Sequence, residues 1–233
     1  MAAPTPRDAV PTPSYQTTTI SNGNTGNFTV TLMPHQINDY LVVFLALKNV
    51  TAVDVPTGWA AVRENSSGGV WLGTYQQSTL AASSSETNPI FTIHSSGNGT
   101  GEAHPYSVPI TGGSILRAHV NGAANTTGSA DPPALTPFGG TQDYLWFALA
   151  GVKADTAISA GPSGYSNFTA SSNTTGVTLA TAWKQSTAAT TENPGTFTNT
   201  STNWVANTFA VWDTVGGGGG GTHVANNLLF GIG

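Results

Sequence analysis

The chain writes one strand pattern twice, and that duplication limits its possible folds more than any other feature. Asp39-Tyr-Leu opens an apolar run to Leu47, and Asp143-Tyr-Leu opens a second run from Trp146 to Ala150. Pro56-Thr-Gly-Trp59 recurs as Pro162-Ser-Gly-Tyr165, and Gly69-Val-Trp-Leu as Gly176-Val-Thr-Leu. Tyr75-Gln-Gln-Ser-Thr79 recurs as Trp183-Lys-Gln-Ser-Thr187, and Asn88-Pro-Ile-Phe-Thr92 as Asn193-Pro-Gly-Thr-Phe-Thr198. The separations are 104 (39 to 143), 106 (56 to 162), 107 (69 to 176), 108 (75 to 183) and 105 (88 to 193). Ordered matches at a nearly constant offset mark an internal repeat.

Each unit reads as strands. Leu41 to Leu47 is a continuous apolar run of strand length, as expected of a strand buried on both faces. Tyr15–Ile20 and the alternating Phe28, Val30 and Leu32, separated by Asn22-Gly-Asn-Thr-Gly, predict a hairpin over residues 15–33. Further strands are expected at Val70–Tyr75, at 88–93, over the alternating Tyr106, Val108 and Ile110, and at 115–120. Residues 121–134 read as a polar connection. No window keeps a 3.6-residue period for ten residues without Gly, Pro or Thr clusters, so no helix is predicted.

A copy folding alone would have few strands and a thin core. The reading is therefore all-β: a jelly-roll-like two-sheet sandwich over residues 15–215, built from a duplicated half of about 105 residues. The halves are placed at about 15–120 and 121–215. Residues 1–14, with four prolines, predict an extended arm. Residues 216–233 join six consecutive glycines to an apolar tail.

Composition narrows the function classes. Only 7% of residues are charged, with six Lys and Arg against eleven Asp and Glu. Six scattered cations cannot form the basic stripe that nucleic acid requires. The longest apolar run is far below the ~20 residues of a membrane-spanning helix. With no Cys, neither a disulfide framework nor a thiolate metal site can form. The first residues lack the charged and apolar regions of a signal peptide. A neutral Thr, Ser and Asn surface has little long-range repulsion and suits dense packing on another body.

Chemical motifs are weak. There is no nucleophile elbow and no phosphate loop with its lysine. Gly97-Asn-Gly-Thr-Gly101 reads as a hairpin turn. His35, His94, His104, His119 and His223 lack metal-ligand spacing and read as isolated surface or turn residues. His94 and His104 are the pair that could meet across neighbouring strands. The acids lie singly, which argues against a facing carboxylate pair, and no Asp-rich loop suggests calcium. Asp39 and Asp143, just before equivalent strands, are expected to cap turns. Trp59, Trp71, Trp183, Trp204 and Trp212 would pack in the core or at an interface, or line a sugar-binding face. Trp71 is expected to point opposite to Val70 and Leu72.

The repeated pattern over roughly residues 30–212 resembles a β-sandwich repeat of tailed-phage virion proteins, notably capsid decoration (cement) proteins and some tail-associated proteins. Tyr165 stands where Trp is usual, a departure that touches packing and not chemistry. The resemblance implies a virion structural protein on the capsid exterior that binds the major capsid protein as a homo-oligomer, with a trimer expected. The composition and the lack of chemical motifs lead to the further expectation of no enzyme activity, no cofactor, no metal, and neither nucleic acid nor membrane as partner. The expected partner contacts are Pro4, Pro6 and Arg7 in the arm and Leu228, Leu229, Phe230 and Ile232 in the tail. The alternatives are a tail or fibre component and a carbohydrate-binding sandwich.

Overall fold

A computed structural model of the chain describes residues 3–8, 10–15, 20–21, 23–109, 115–153, 158–173 and 176–214. Eleven strands are described: β1 (Ser14–Tyr15), β2 (Thr25–Thr29), β3 (Tyr40–Asp54), β4 (Trp59–Ser67), β5 (Val70–Gln77), β6 (Ile90–Val108), β7 (Ile115–Asn125), β8 (Gln142–Val152), β9 (Ser166–Asn173), β10 (Val177–Ala189) and β11 (Trp204–Thr214). The first sheet runs β1-β6-β3-β5-β4, with β2 also on β6, and the second runs β7-β11-β8-β10-β9. All ladders are antiparallel. The fold is the expected all-β, duplicated, jelly-roll-like sandwich.

Ile115–Asn125 (β7) pairs with β11, so β7 is counted with the second half throughout, and each half then builds one whole sheet. Replacing β3, β4, β5 and β6 by β8, β9, β10 and β11 turns the order β6-β3-β5-β4 into β11-β8-β10-β9. A local irregularity is also repeated. β4 carries an extra residue opposite β5 between Ala61 and Arg63, and β9 carries one opposite β10 between Thr181 and Trp183. A bulge at the same place in both sheets is inherited geometry. The Pro56-to-Trp59 and Pro162-to-Tyr165 turns match too. Trp59 N–H donates to Pro56 O at 3.0 Å and Tyr165 N–H to Pro162 O at 3.2 Å, with Gly58 at φ 85° and Gly164 at φ 80°. That left-handed third position is why each turn carries Gly.

The sheets close over a shared core. Val42, Phe44 and Ala46 of β3 face Leu145, Phe147 and Leu149 of β8, with Val70, Leu72, Val177, Leu179, Val205 and Phe209 around them. Phe44 sits between Phe147 and Phe209, with ring centroids 5.2 Å and 5.7 Å away. The alternate residues Val43, Leu45 and Leu47 face outward, yet they are buried beneath Ile20, Phe28, Phe91 and Ile93. Ala148, Ala150 and Val152 of β8 are likewise covered, by Ala130, Ile158 and Phe197. Both central strands are therefore buried on both faces, as their continuous apolar runs require.

Three local expectations are corrected. β1 and β2 do not form a hairpin with each other, because both pair with different parts of β6. The segments at 88–93 and 106–110 are not separate strands, since β6 runs from Ile90 to Val108 and carries Gly97–Gly101 within it, not in a hairpin turn. β7 continues to Asn125, into the segment read as a polar connection, because β11 supplies a full-length edge to pair with.

Candidate functional site

Polar side chains gather where β6 crosses β9 and β10. Glu102, His104 and Tyr106 share one face of β6 with the core residues opposite them, Ala46, Phe44 and Val42. Glu102 and His104 are fully buried. His104 Nε2 lies 2.7 Å from Ser171 Oγ, and its Nδ1 lies 3.0 Å from Thr181 Oγ1. Tyr106 OH lies 2.8 Å from the same Thr181 hydroxyl. Burial pushes the His104 pKa down to about 3, so the ring is neutral at pH 7. Burial pushes Glu102 up to about 8, partly offset by the Ser171 hydroxyl, and neither carboxyl oxygen has a well-formed hydrogen bond.

Ser171 and His104 resemble a nucleophile and its base in distance alone. In a working triad the far nitrogen of the base is held by a carboxylate. Here it meets the Thr181 hydroxyl, inside a layer closed to solvent. The chemistry this arrangement performs is cross-sheet hydrogen bonding.

The second region lies on the outer face of the first sheet. Val70 and Leu72 enter the shared core, and Trp71 points the other way, as alternation predicted. Trp59, Tyr75 and Trp71 follow one another along the β4–β5 ladder, where Trp59 pairs with Gln77 and Trp71 with Ser66. The tryptophans are thus about 20 Å apart along the strands. Trp59 and Trp71 are half-buried and Glu64 beside them is exposed. Tyr75 O–H donates to Glu64 Oε1 at 2.8 Å, and Trp71 Nε1–H donates to Tyr75 OH at 3.3 Å. Burial raises the Glu64 pKa, and the tyrosine bond lowers it in part. The Tyr75 ring folds over Gly73, where a side chain would overlap it.

The remaining tryptophans are structural. Trp183 belongs to the shared core, Trp204 to the outer cover of the second sheet, and Trp146 and Trp212 pack on Tyr144.

The arm residues lie on their own sandwich. Pro4 and Pro6 are buried. Gln185 Nε2–H donates to Ala3 O at 2.8 Å and to Pro4 O at 2.9 Å. Arg7 forms a two-pronged ion pair with Asp39, and its N–H donates to Ser107 O at 2.9 Å. Burial pushes the Asp39 carboxyl up, and its bonds from Arg7, Gln36 N–H and Ser107 O–H more than reverse this, leaving it below the usual range. Asp39 does cap its turn through Gln36 N–H at 2.7 Å, and Asp143 accepts Ala188 N–H at 2.8 Å. Leu228, Leu229, Phe230 and Ile232 lie outside the described residues, as does His223.

The histidines are dispersed. His35 Nδ1 donates to Met33 O at 2.8 Å while its Nε2 accepts Glu86 N–H at 3.0 Å. His94 does not meet His104, since the two share one long strand, and it sits 2.8 Å from exposed Asp54. His119 stacks under Phe138 with centroids 4.1 Å apart. His104 is no surface residue. Among the described residues no three His, Asp or Glu side chains are grouped to hold a metal.

Sequence reasoning missed Glu102 as a site residue. The signal was available, because the alternation of Tyr106 and Val108 extends backward through His104 to Glu102. Comparison with protein-family models, curated proteins and solved structures finds no match to this chain.

Proposed function

We propose that this chain is a non-enzymatic structural module that decorates the outside of a tailed-phage capsid, docking on the major capsid protein as a homo-oligomer, with a trimer expected. The observation that carries the reading is the double burial of both central strands. The sandwich buries most of its large apolar side chains, with Val10, Ile37, Leu80, Ile90 and Phe138 exposed among the described residues, on a Thr-, Ser- and Asn-rich chain with 7% charged residues. Such a body suits close packing on a large particle and rigid burial of a contact face. The test is co-sedimentation of the purified chain with particles from its source, with densitometry for copy number and light scattering for the oligomer. Hundreds of copies per particle support decoration. A handful of copies favours a tail component, and none removes the virion reading. Deleting residues 222–233 is expected to weaken particle binding without loss of the sandwich.

A second reading has its own observation. The half-buried Trp59 and Trp71, with exposed Glu64 between them along β4, form the kind of aromatic stripe on which a sugar chain stacks. A glycan array tests it. Hits lost on Trp71→Ala support it, and a blank array removes it.

A further inference from the structure

Several contacts between the halves follow a rule of exchange. The ladders fix which residues correspond. Phe44 and Leu149 lie opposite Thr74 and Thr181, and opposite His104 and Asn207. Thr74 thus corresponds to Thr181, His104 to Asn207, Ala46 to Gly151 and Lys48 to Lys153. Through β5 and β10, Asn65 opposite Leu72 corresponds to Ser171 opposite Leu179.

Reciprocity then appears at three levels of the interface. At the sides, His104 of β6 bonds Ser171 of β9 at 2.7 Å, and its counterpart Asn207 of β11 accepts from Asn65 of β4 at 2.8 Å. At the centre, the counterparts Ala46 and Gly151 meet each other, and a Cβ built on Gly151 would lie 3.4 Å from that of Ala46. Further along the same strands, Lys48 Nζ lies 2.7 Å from the Cβ position of Gly176 in the β9–β10 turn. Its counterpart Lys153 Nζ lies 3.1 Å from that of Gly69 in the β4–β5 turn. In each case residue i of one half meets residue j of the other, and j meets i, which defines an isologous two-fold interface.

The halves are also separable in kind. Among the described residues every ladder and every main-chain to main-chain hydrogen bond stays within one half. Only side chains cross: the shared core, the reciprocal pairs above, the bonds of Thr181 to His104 and Tyr106 (not mirrored, since the corresponding Thr74 hydroxyl has no hydrogen-bond partner), Asn203 to Gly68 O and Gln185 to the arm.

We infer that the contact between the halves is a self-complementary dimer interface enclosed in one chain, and that a second copy of this chain can supply either half, giving a reciprocally exchanged dimer. This goes beyond the capsid reading and does not depend on it. Within one chain the tether gives the partner half a millimolar effective concentration, so exchange requires refolding at high protein concentration.

The chain has no cysteine, so two single-cysteine chains, Ala46→Cys and Gly151→Cys, report the contact cleanly. The Cβ separation at this point is close to that of a disulfide. The two chains are unfolded together, refolded at rising concentration under mild oxidant, and run on a non-reducing gel. A covalent dimer that grows with concentration, and is absent when the chains are folded apart and then mixed, is the expected result. Ala46→Cys refolded alone yields no such dimer, because exchange places its thiol against Gly151. A mixture that remains monomeric at every concentration overturns the inference, as does equal cross-linking of Ala46→Cys with itself. The double variant in one chain should close its disulfide within the monomer, and failure to do so overturns the contact geometry. Light scattering of the unaltered chain after concentrated refolding gives the same answer without a substitution, as a dimer or its absence.

Discussion

The two sheets share a strand order and a bulge, yet they cover their outer faces by different means. In the first, β3 and β6 run past the sandwich, and the irregular pairing between Lys48 and Ala52 marks where the ladder bends. Their far ends, with β2, supply the Phe28, Phe91 and Ile93 that cover Val43 and Leu45. In the second, β8 and β11 are shorter, and residues from connecting segments, Ala130, Ile158 and Phe197, do the covering. The edge beside β6 is taken by the short β1, whereas β11 has the full-length β7. The lesson is that duplication preserves what the shared interface needs and leaves the outer faces free to diverge. The interface itself has also diverged in polarity, since fully buried Val205 occupies the position of Glu102 and Phe209 that of Tyr106.

The comparison breaks most readily at the shared core. Phe44→Ala removes a fully buried ring that touches Phe147 and Phe209 of the other half, and should cost about 3–5 kcal/mol. Urea unfolding followed by circular dichroism and by tryptophan fluorescence should give one coincident transition, at lower denaturant. Two separated transitions would show that the sheets are independent bodies.

Glu102 sharpens the contrast between the halves. Its pKa rises from an ordinary 4.5 to about 8 on folding, so the folded state binds the extra proton between these values. The stability it contributes is full below the ordinary carboxyl pKa and is lost as pH rises toward 8, at about 1.4 kcal/mol per pH unit. Glu102→Gln keeps the shape of the neutral acid. Below about pH 6.5 the buried neutral His104 adds an opposite slope, so melting curves from pH 7 to 9 are the test: the wild type should fall toward pH 8 and the variant should stay nearly flat. Parallel curves would remove the argument.

The arm is next in size. Arg7→Ala leaves buried Asp39 without its cation and should cost about 1–3 kcal/mol at pH 7. Asp39 is held below its ordinary pKa of 3.8, so this contribution is present above that value and lost as pH falls through the folded pKa. The gap between wild type and variant should therefore close in acid. Asp143→Ala, in the corresponding turn of the other half, should cost only about 1 kcal/mol for its bond to Ala188.

The smallest effect tests the sameness of the turns. A Cβ has open space at both Gly58 and Gly164, so only the left-handed φ resists substitution. Gly58→Ala and Gly164→Ala should each cost about 1 kcal/mol by denaturant titration, with matching values. A large difference would mean that the turns are not one inherited motif.

Much of the fold was legible because repeated turn residues and apolar runs are local signals. Pro-x-Gly marks a left-handed turn position, and an unbroken apolar run marks a strand buried twice. The register was not legible. Asp39-Tyr-Leu aligns with Asp143-Tyr-Leu at an offset of 104, whereas the ladders match Phe44 with Leu149, an offset of 105. Tyr40 accordingly enters the shared core while Tyr144 lies on the outer face. Tyr75 and Trp183 are parted in the same way, outward and inward. With a side-chain period of two, a slip of one residue changes the face.

The sequence alone determined that the chain is all-β, that it is duplicated, where the two Pro-x-Gly turns fall and which strands lie at the centre. These follow from backbone preference and hydrophobic period, which act over a few residues. Only the tertiary structure decided that each half makes a complete sheet, that residues 3–7 lie back on their own sandwich, and that Glu102 and His104 are sealed between the halves. Those outcomes depend on which surfaces meet across long sequence separations, and the free energy of burial that selects them exists only once both halves are in contact.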